Sequence, residues 1–96
     1  MNDEAQPGAP GRIRADRLLV YLRFARTRSA ARKIIEGNAL RINRQHVERV
    51  SEPVGAGDVL TLVHGDEVKI IEVLGLPDRR TSPALAKTFY RELTRF

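Results

Sequence analysis

The side chains best suited to chemistry in this sequence are cations. Arg28, Arg32 and Lys33 fall within a short segment whose alanines and isoleucines would occupy the opposite side of a helix. A guanidinium group can hold two phosphate oxygens through parallel hydrogen bonds, and an ammonium group adds a compact charge. Cations spaced along one face of a rigid helix therefore indicate binding to a polyanion, with release of its counterions.

Side chains for catalysis or metal binding are scarce. The chain has no cysteine, and its two histidines, His46 and His64, lack a partner at a metal-ligand spacing. The glycine motifs of phosphate loops, dinucleotide sites and nucleophile elbows are absent. Asp16 stands among arginines and is interpreted as an ion-pair partner rather than a general base. We therefore expect no enzymatic activity, no cofactor and no metal site.

The positive charge is concentrated in one part of the chain. The net charge is +5, made up of −2 over residues 1–11, +8 over residues 12–49 and −1 over residues 50–96. A generic solvated surface would have charges of both signs mixed along the chain. The single cationic segment favours a polyanion as the partner.

The length and composition indicate one small domain. With 96 residues, the chain can bury one modest core. Residues 1–12 are rich in proline and glycine and are expected to form a disordered tail. There is no apolar run long enough to span a bilayer and no secretion signal, which favours a cytoplasmic protein without membrane contact.

Two helices are expected to position the cations. Residues 14–24 place Ala15, Leu18, Leu19 and Leu22 on one core-facing side, while Val20 and Phe24 need other cover, either another helix or, for Phe24, a stacked base. The second helix is predicted over residues 28–36. Thr27 is its expected N-cap, and Gly37 or Asn38 would supply the left-handed turn that ends it.

A small, mostly antiparallel sheet should follow. Strands are predicted over residues 39–42, 46–50, 59–63 and 68–74, with loops at 53–57 and 76–81. Ser82 and Pro83 begin a predicted last helix over residues 83–93. In that helix Leu85, Phe89 and Leu93 would form a stripe that covers Val20 and Phe24.

The ordered motifs resemble those of the S4 RNA-binding domain. The motifs are Arg14-Ala15-Asp16, Thr27-Arg28-Ser29-Ala30-Ala31-Arg32, Ile34-Ile35-Glu36-Gly37, Leu40-Arg41-Ile42-Asn43 and Gly57-Asp58. A narrower resemblance, to the bacterial fifteen-kilodalton ribosome-associated heat-shock proteins of the stress response, continues through Arg79-Arg80, Ala86 and Tyr90. Arg44 stands where that pattern has glycine, so the turn must change form or tolerate strain.

The resemblance implies an α+β fold in which two packed helices and a hairpin form an L-shaped RNA-binding surface. It implies an RNA-binding domain over residues 13–75, with a loop and short C-terminal helix over residues 76–96 packing on it. The implied partner is ribosomal RNA, particularly on the large ribosomal subunit, with tRNA a further candidate, and we expect a monomer. The RNA-contacting residues would be Arg14, Arg17, Arg28, Ser29, Arg32, Lys33, Arg41, Asn43 and Arg44.

Two other functions are compatible with the sequence. The helices could form the helix-turn-helix of a DNA-binding regulator, although no stripe for dimerisation is evident. The chain could also serve in trans as the RNA-binding accessory of an RNA-modifying enzyme. In all three cases the partner would be a nucleic acid. If the partner is ribosomal RNA, the protein would recognise the folded shape of that RNA.

Overall fold

A computed structural model describes residues 11–94 of the chain and shows the expected α+β fold. The predicted tail therefore lies outside the described residues, apart from its last two. The helices are α1 (Ala15–Tyr21), α2 (Arg28–Glu36) and α3 (Pro83–Ala86), and a 3₁₀ turn spans Lys87–Phe89. The strands are β1 (Ile13–Arg14), β2 (Leu40–Ile42), β3 (Gln45–His46), β4 (Pro53–Val54), β5 (Val59–His64), β6 (Glu67–Val73) and β7 (Tyr90–Glu92).

The strands form two antiparallel sheets. The larger sheet has the order β3-β2-β5-β6-β7, and the smaller consists of β1 and β4. The helices and both sheets bury a single apolar cluster, because the inward side chains of each element are aliphatic. Its fully buried members are Leu18, Leu19, Leu22, Ile35, Leu40, Val54, Leu60, Ile71 and Val73.

The first helix is shorter than predicted. It ends at Tyr21 because Arg23 adopts a left-handed conformation, with φ of +69°. The amide of Arg23 donates to the Val20 carbonyl at 3.0 Å, and the amide of Phe24 donates to the Leu19 carbonyl at 2.9 Å. This is a Schellman ending, which usually has glycine at the left-handed position.

The second helix has the predicted bounds and caps. The Thr27 hydroxyl accepts from the Ala30 amide at 3.1 Å, so Thr27 is the N-cap as expected. Asn38, with φ of +62°, supplies the left-handed residue that ends the helix. The chain then enters β2, so the direction of α2 is set by the sheet that follows it.

The short sheet β1–β4 was not predicted. Residues 53–57 were expected to form a loop, but Pro53 and Val54 pair with Arg14 and Ile13. The expected return strand over residues 46–50 is instead limited to Gln45–His46. The amide of Asp16 donates to the Val50 carbonyl at 3.1 Å. These backbone contacts attach the start of α1 to residues 50–54.

The prediction of a C-terminal helix over residues 83–93 was wrong about the length of that helix. Only α3 and the 3₁₀ turn are helical, and Tyr90–Glu92 form β7 against β6. Leu85 and Leu93 are exposed, while Phe24 packs on Tyr90 with ring centroids 5.1 Å apart. The sheet hydrogen bonds available along β6 therefore outweigh the helical spacing of the apolar residues.

Candidate nucleic-acid interface

A shallow depression lies between the start of α1 and the start of α2. Its volume is about 190 Å³, and it is lined by Arg14, Asp16, Arg28, Ser29, Arg32 and Val50. Four of these residues were predicted to contact RNA. The fold thus brings Arg14, at the end of β1, together with Arg28 and Arg32 of α2. We call this depression the proximal arginine site.

Asp16 is a buried residue that orients the arginines of the proximal arginine site. It is only 4% exposed. Its carboxylate accepts from Arg14 Nε and Nη2 at 3.0 and 3.1 Å and from Arg28 Nη2 at 3.0 Å. It also accepts from the Arg17 amide at 2.8 Å. The carboxylate therefore holds two arginine side chains in one orientation, as an ion-pair partner.

The pKa of Asp16 reports the strength of these contacts. Burial disfavours the charged carboxylate and would raise its pKa, but the hydrogen bonds from Arg14 and Arg28 outweigh it. The result is a pKa lowered from its usual value of 3.8. Asp16 is therefore ionised at neutral pH and keeps both guanidinium groups paired.

Donors for a ligand remain on both arginines. Arg14 uses Nε and Nη2 for Asp16, and Arg28 uses Nη2, so each guanidinium retains further N–H groups. The side chain of Arg28 is 55% exposed and that of Arg14 is 28% exposed. Arg28 is consequently the more accessible of the two to a phosphate.

The remaining cations of α2 face solvent. Arg32 pairs with Glu36 through a 2.9 Å contact in which both side chains are exposed. Such an exposed pair contributes little stability and is easily exchanged for another anion. This pair was not predicted, although its spacing of four residues is a recognised signal. Lys33 is exposed and has no ion-pair partner within residues 11–94.

The hairpin of β2 and β3 carries two more of the predicted residues. Arg41 and Arg44 are exposed, and Arg41 Nη2 lies 3.3 Å from His46 Nε2. These residues do not line the proximal arginine site. Arg17 also lies outside that depression and is half-buried. Their predicted contacts with RNA remain predictions.

Asn43 shapes the turn of this hairpin. Its Nδ2 donates to Asp58 Oδ1 at 3.0 Å, and its Oδ1 accepts from the Val59 amide at 2.9 Å. These contacts connect the turn to the start of β5 and give Asn43 a structural role. Its predicted contact with RNA also stays a prediction. Asp58 is far from Asn43 in sequence, so no local pattern reveals the contact.

Arg44 occupies a strained position in the same turn. Asn43 and Arg44 have φ of +52° and +77°, as a two-residue hairpin turn of type I′ requires. We expect Arg44→Gly to stabilise the protein by about 1 kcal/mol, because glycine has no Cβ to clash in this conformation. Thermal unfolding should show a melting temperature raised by roughly 5 °C.

Arg44→Ala is the matched control, since it removes the same guanidinium without relieving the strain. Both variants should weaken RNA binding equally if Arg44 contacts RNA, and only the glycine variant should be stabilised. Equal melting temperatures for the two variants would contradict the assignment of strain to Arg44.

Within residues 11–94 there is no cluster of three or more histidine, aspartate or glutamate side chains placed to bind a metal ion. None of the helices in this range has the length and apolar character needed to cross a membrane.

Comparison with known proteins places these features in a family. The S4 domain family matches residues 13–60. The heat shock protein 15 homolog of Haemophilus influenzae is 36% identical over 80 residues, which cover 83% of this chain and 60% of that protein. Heat shock protein 15 of Escherichia coli K12 is 31% identical over 80 residues, or 59% of its length. The chain thus spans about 60% of the curated relatives that it matches.

A solved structure supports the same relationship. The trimeric structure of Vibrio cholerae heat shock protein 15 aligns with a TM-score of 0.78 and 34% identity, covering 84% of this chain and 81% of that one. That relative is a trimer, so the comparison does not support the expectation of a monomer. The motif-based resemblance is confirmed: the chain belongs to the S4 domain family and is similar to heat shock protein 15 over most of its length.

Proposed function

We propose that this chain is a non-enzymatic RNA-binding protein of the bacterial cytoplasm that binds structured ribosomal RNA on the large ribosomal subunit. The observation that carries the proposal is the proximal arginine site, where Arg14, Arg28 and Arg32 meet at the beginning of a helix. Membership of the S4 domain family and similarity to proteins named for the heat-shock response support it.

The beginning of α2 is chemically suited to a phosphate. Arg28 and Ser29 are the first two residues of the helix, so their amides have no acceptor within it. The helix dipole adds partial positive charge at the same point. A phosphate placed there would meet the amides and the free donors of Arg28, while Asp16 keeps that guanidinium in place.

The hairpin would extend this contact to a second part of the RNA. Arg44 lies in the two-residue turn of the hairpin and Arg41 in β2, and Asn43 attaches that turn to β5. Contacts at two separated points allow a protein to distinguish a folded RNA from a flexible strand by its shape.

The proposal is tested by sedimentation of the purified protein with purified bacterial ribosomal subunits. We expect the protein to sediment with the large subunit at low salt and to dissociate progressively as salt is raised, because several phosphate contacts are lost together. Duplex DNA and tRNA are the competing ligands. The proposal would be contradicted if the protein sedimented with neither subunit. It would also be contradicted if the protein bound duplex DNA more tightly than the large subunit.

A further inference from the structure

A second group of cations lies on two loops, one that follows α1 and one that precedes α3. The loop after α1 carries Arg23 and Arg26, and the segment before α3 carries Arg79 and Arg80. All four side chains belong to exposed residues. We call these four residues the distal arginine patch.

Specific contacts hold the two loops of the distal arginine patch together. Arg23 Nη1 donates to the Thr81 carbonyl at 2.8 Å, across 58 residues of sequence. Phe24 in the first loop packs on Tyr90, which follows the second. Pro77 is buried. The Arg79-Arg80 pair therefore lies between a buried proline and a carbonyl that accepts a hydrogen bond from Arg23.

The distal arginine patch also lacks salt bridges within the part of the chain that the structure describes. Within residues 11–94, none of its four arginines lies within 4.0 Å of a carboxylate oxygen, whereas Arg14, Arg28, Arg32, Arg49 and Arg91 each have such a partner. Unpaired cations held close together repel one another, and they gain most from an external anion.

Arg23 has a further unusual property. It adopts φ of +69° at a position where glycine or asparagine would avoid the steric cost. Its guanidinium makes the hydrogen bond that attaches the Arg79-Arg80 segment to the end of α1. The residue with the strained backbone is thus the one whose side chain connects the two loops of the patch. Backbone strain of this kind is characteristic of functional positions.

We infer that the distal arginine patch is a second phosphate-contacting surface, which binds a different part of the same RNA; this rests on the proposed function. Arg14 and Arg23 stand at opposite ends of α1. The Asp16 carboxylate holds the guanidinium of Arg14 before the start of α1, and the Thr81 carbonyl holds that of Arg23 beyond its end. The two surfaces would therefore contact separate phosphates of a structured RNA.

The test uses the full chain and purified large ribosomal subunits, with affinity measured over a series of salt concentrations. The variant is Arg79→Ala/Arg80→Ala, which leaves Arg23 and its hydrogen bond in place. The matched control is Arg49→Ala/Arg91→Ala, which removes the same charge from arginines already paired with Glu52 and Glu72.

We expect the patch variant to bind about tenfold more weakly than wild type and to flatten the slope of log affinity against log salt by between about 1 and 2. The control variant should bind nearly as wild type. An unchanged affinity and slope in the patch variant, alongside binding by wild type, would overturn the inference alone. Absence of binding by wild type would overturn the proposed function and this inference with it.

Discussion

Replacement of Arg28, Arg32 and Lys33 together by alanine is expected to weaken binding to large ribosomal subunits roughly 100-fold. These residues supply the exposed cations of α2, and we propose that each pairs with a phosphate. The loss should be greatest at low salt and should shrink as salt rises, because counterions then compete with the protein. Fluorescence anisotropy or sedimentation over a salt series would measure both effects.

The matched control for this variant is Arg49→Ala/Lys69→Ala/Arg91→Ala. It lowers the net charge by the same amount, but each of its cations is paired with a carboxylate in the structure. We expect its affinity to fall much less. If the two variants lost affinity equally, only net charge would matter, and α2 would have no special role.

A check on folding accompanies this variant, since Arg28 also pairs with Asp16. The double variant Arg32→Ala/Lys33→Ala leaves the contacts of Asp16 intact and removes only exposed side chains. Its stability should differ from wild type by less than about 0.5 kcal/mol. A large loss of binding in this double variant would therefore be attributed to lost contacts with RNA rather than to unfolding.

Asp16→Ala is expected to reduce both stability and RNA binding. The variant loses three charged hydrogen bonds from Arg14 and Arg28 and one from the Arg17 amide, which should cost about 2 kcal/mol of unfolding free energy. For a chain of this size, the melting temperature should fall by roughly 10 °C. Thermal or denaturant unfolding would measure the change.

The direction in which Asp16→Ala changes the affinity for RNA distinguishes between two roles of Asp16. If Asp16 were only a negative charge near a polyanion, its removal would strengthen binding. We expect binding about fivefold weaker instead, because two arginine side chains lose their fixed orientation and must be ordered again by the RNA. Glu36→Ala is the control, since it removes an exposed carboxylate paired with Arg32. That variant should bind RNA at least as tightly as wild type.

The stabilising effect of Asp16 should also depend on pH. Its pKa is lower in the folded protein than the usual 3.8, so its ionised form contributes stability above that pH. The contribution is lost as pH falls through the folded pKa. The difference in stability between wild type and Asp16→Asn should therefore be constant near neutral pH and narrow below about pH 4. A difference that did not narrow would contradict the assigned role.

Part of this fold can be predicted from local sequence. The bounds of α2 follow from a clear N-cap at Thr27 and from apolar residues at helical spacing. Strands β5 and β6 follow from two aliphatic segments joined by a short polar turn. In these elements the local preference and the tertiary packing agree, so the pattern is sufficient.

Other parts depend on contacts that no local pattern reveals. α1 ends early because an arginine, rather than a glycine, takes the left-handed position. Residues 90–92 complete the sheet although Leu85, Phe89 and Leu93 have helical spacing. Likewise, the cations of α2 could be predicted from a helical wheel, whereas the meeting of Arg14 and Arg28 on one carboxylate requires the packing of α1 against α2.

The proximal arginine site is completed by residues that are synthesised after all of its arginines. Ala15 and Asp16 donate their amides to the carbonyls of Glu52 and Val50, and β1 pairs with β4 just beyond. During synthesis, the arginines of the site are therefore present before the backbone contacts that position them have formed. While residues 50–54 are still inside the exit tunnel, the emerging segment can attract any polyanion, and the discrimination by shape that we propose would begin only after their release.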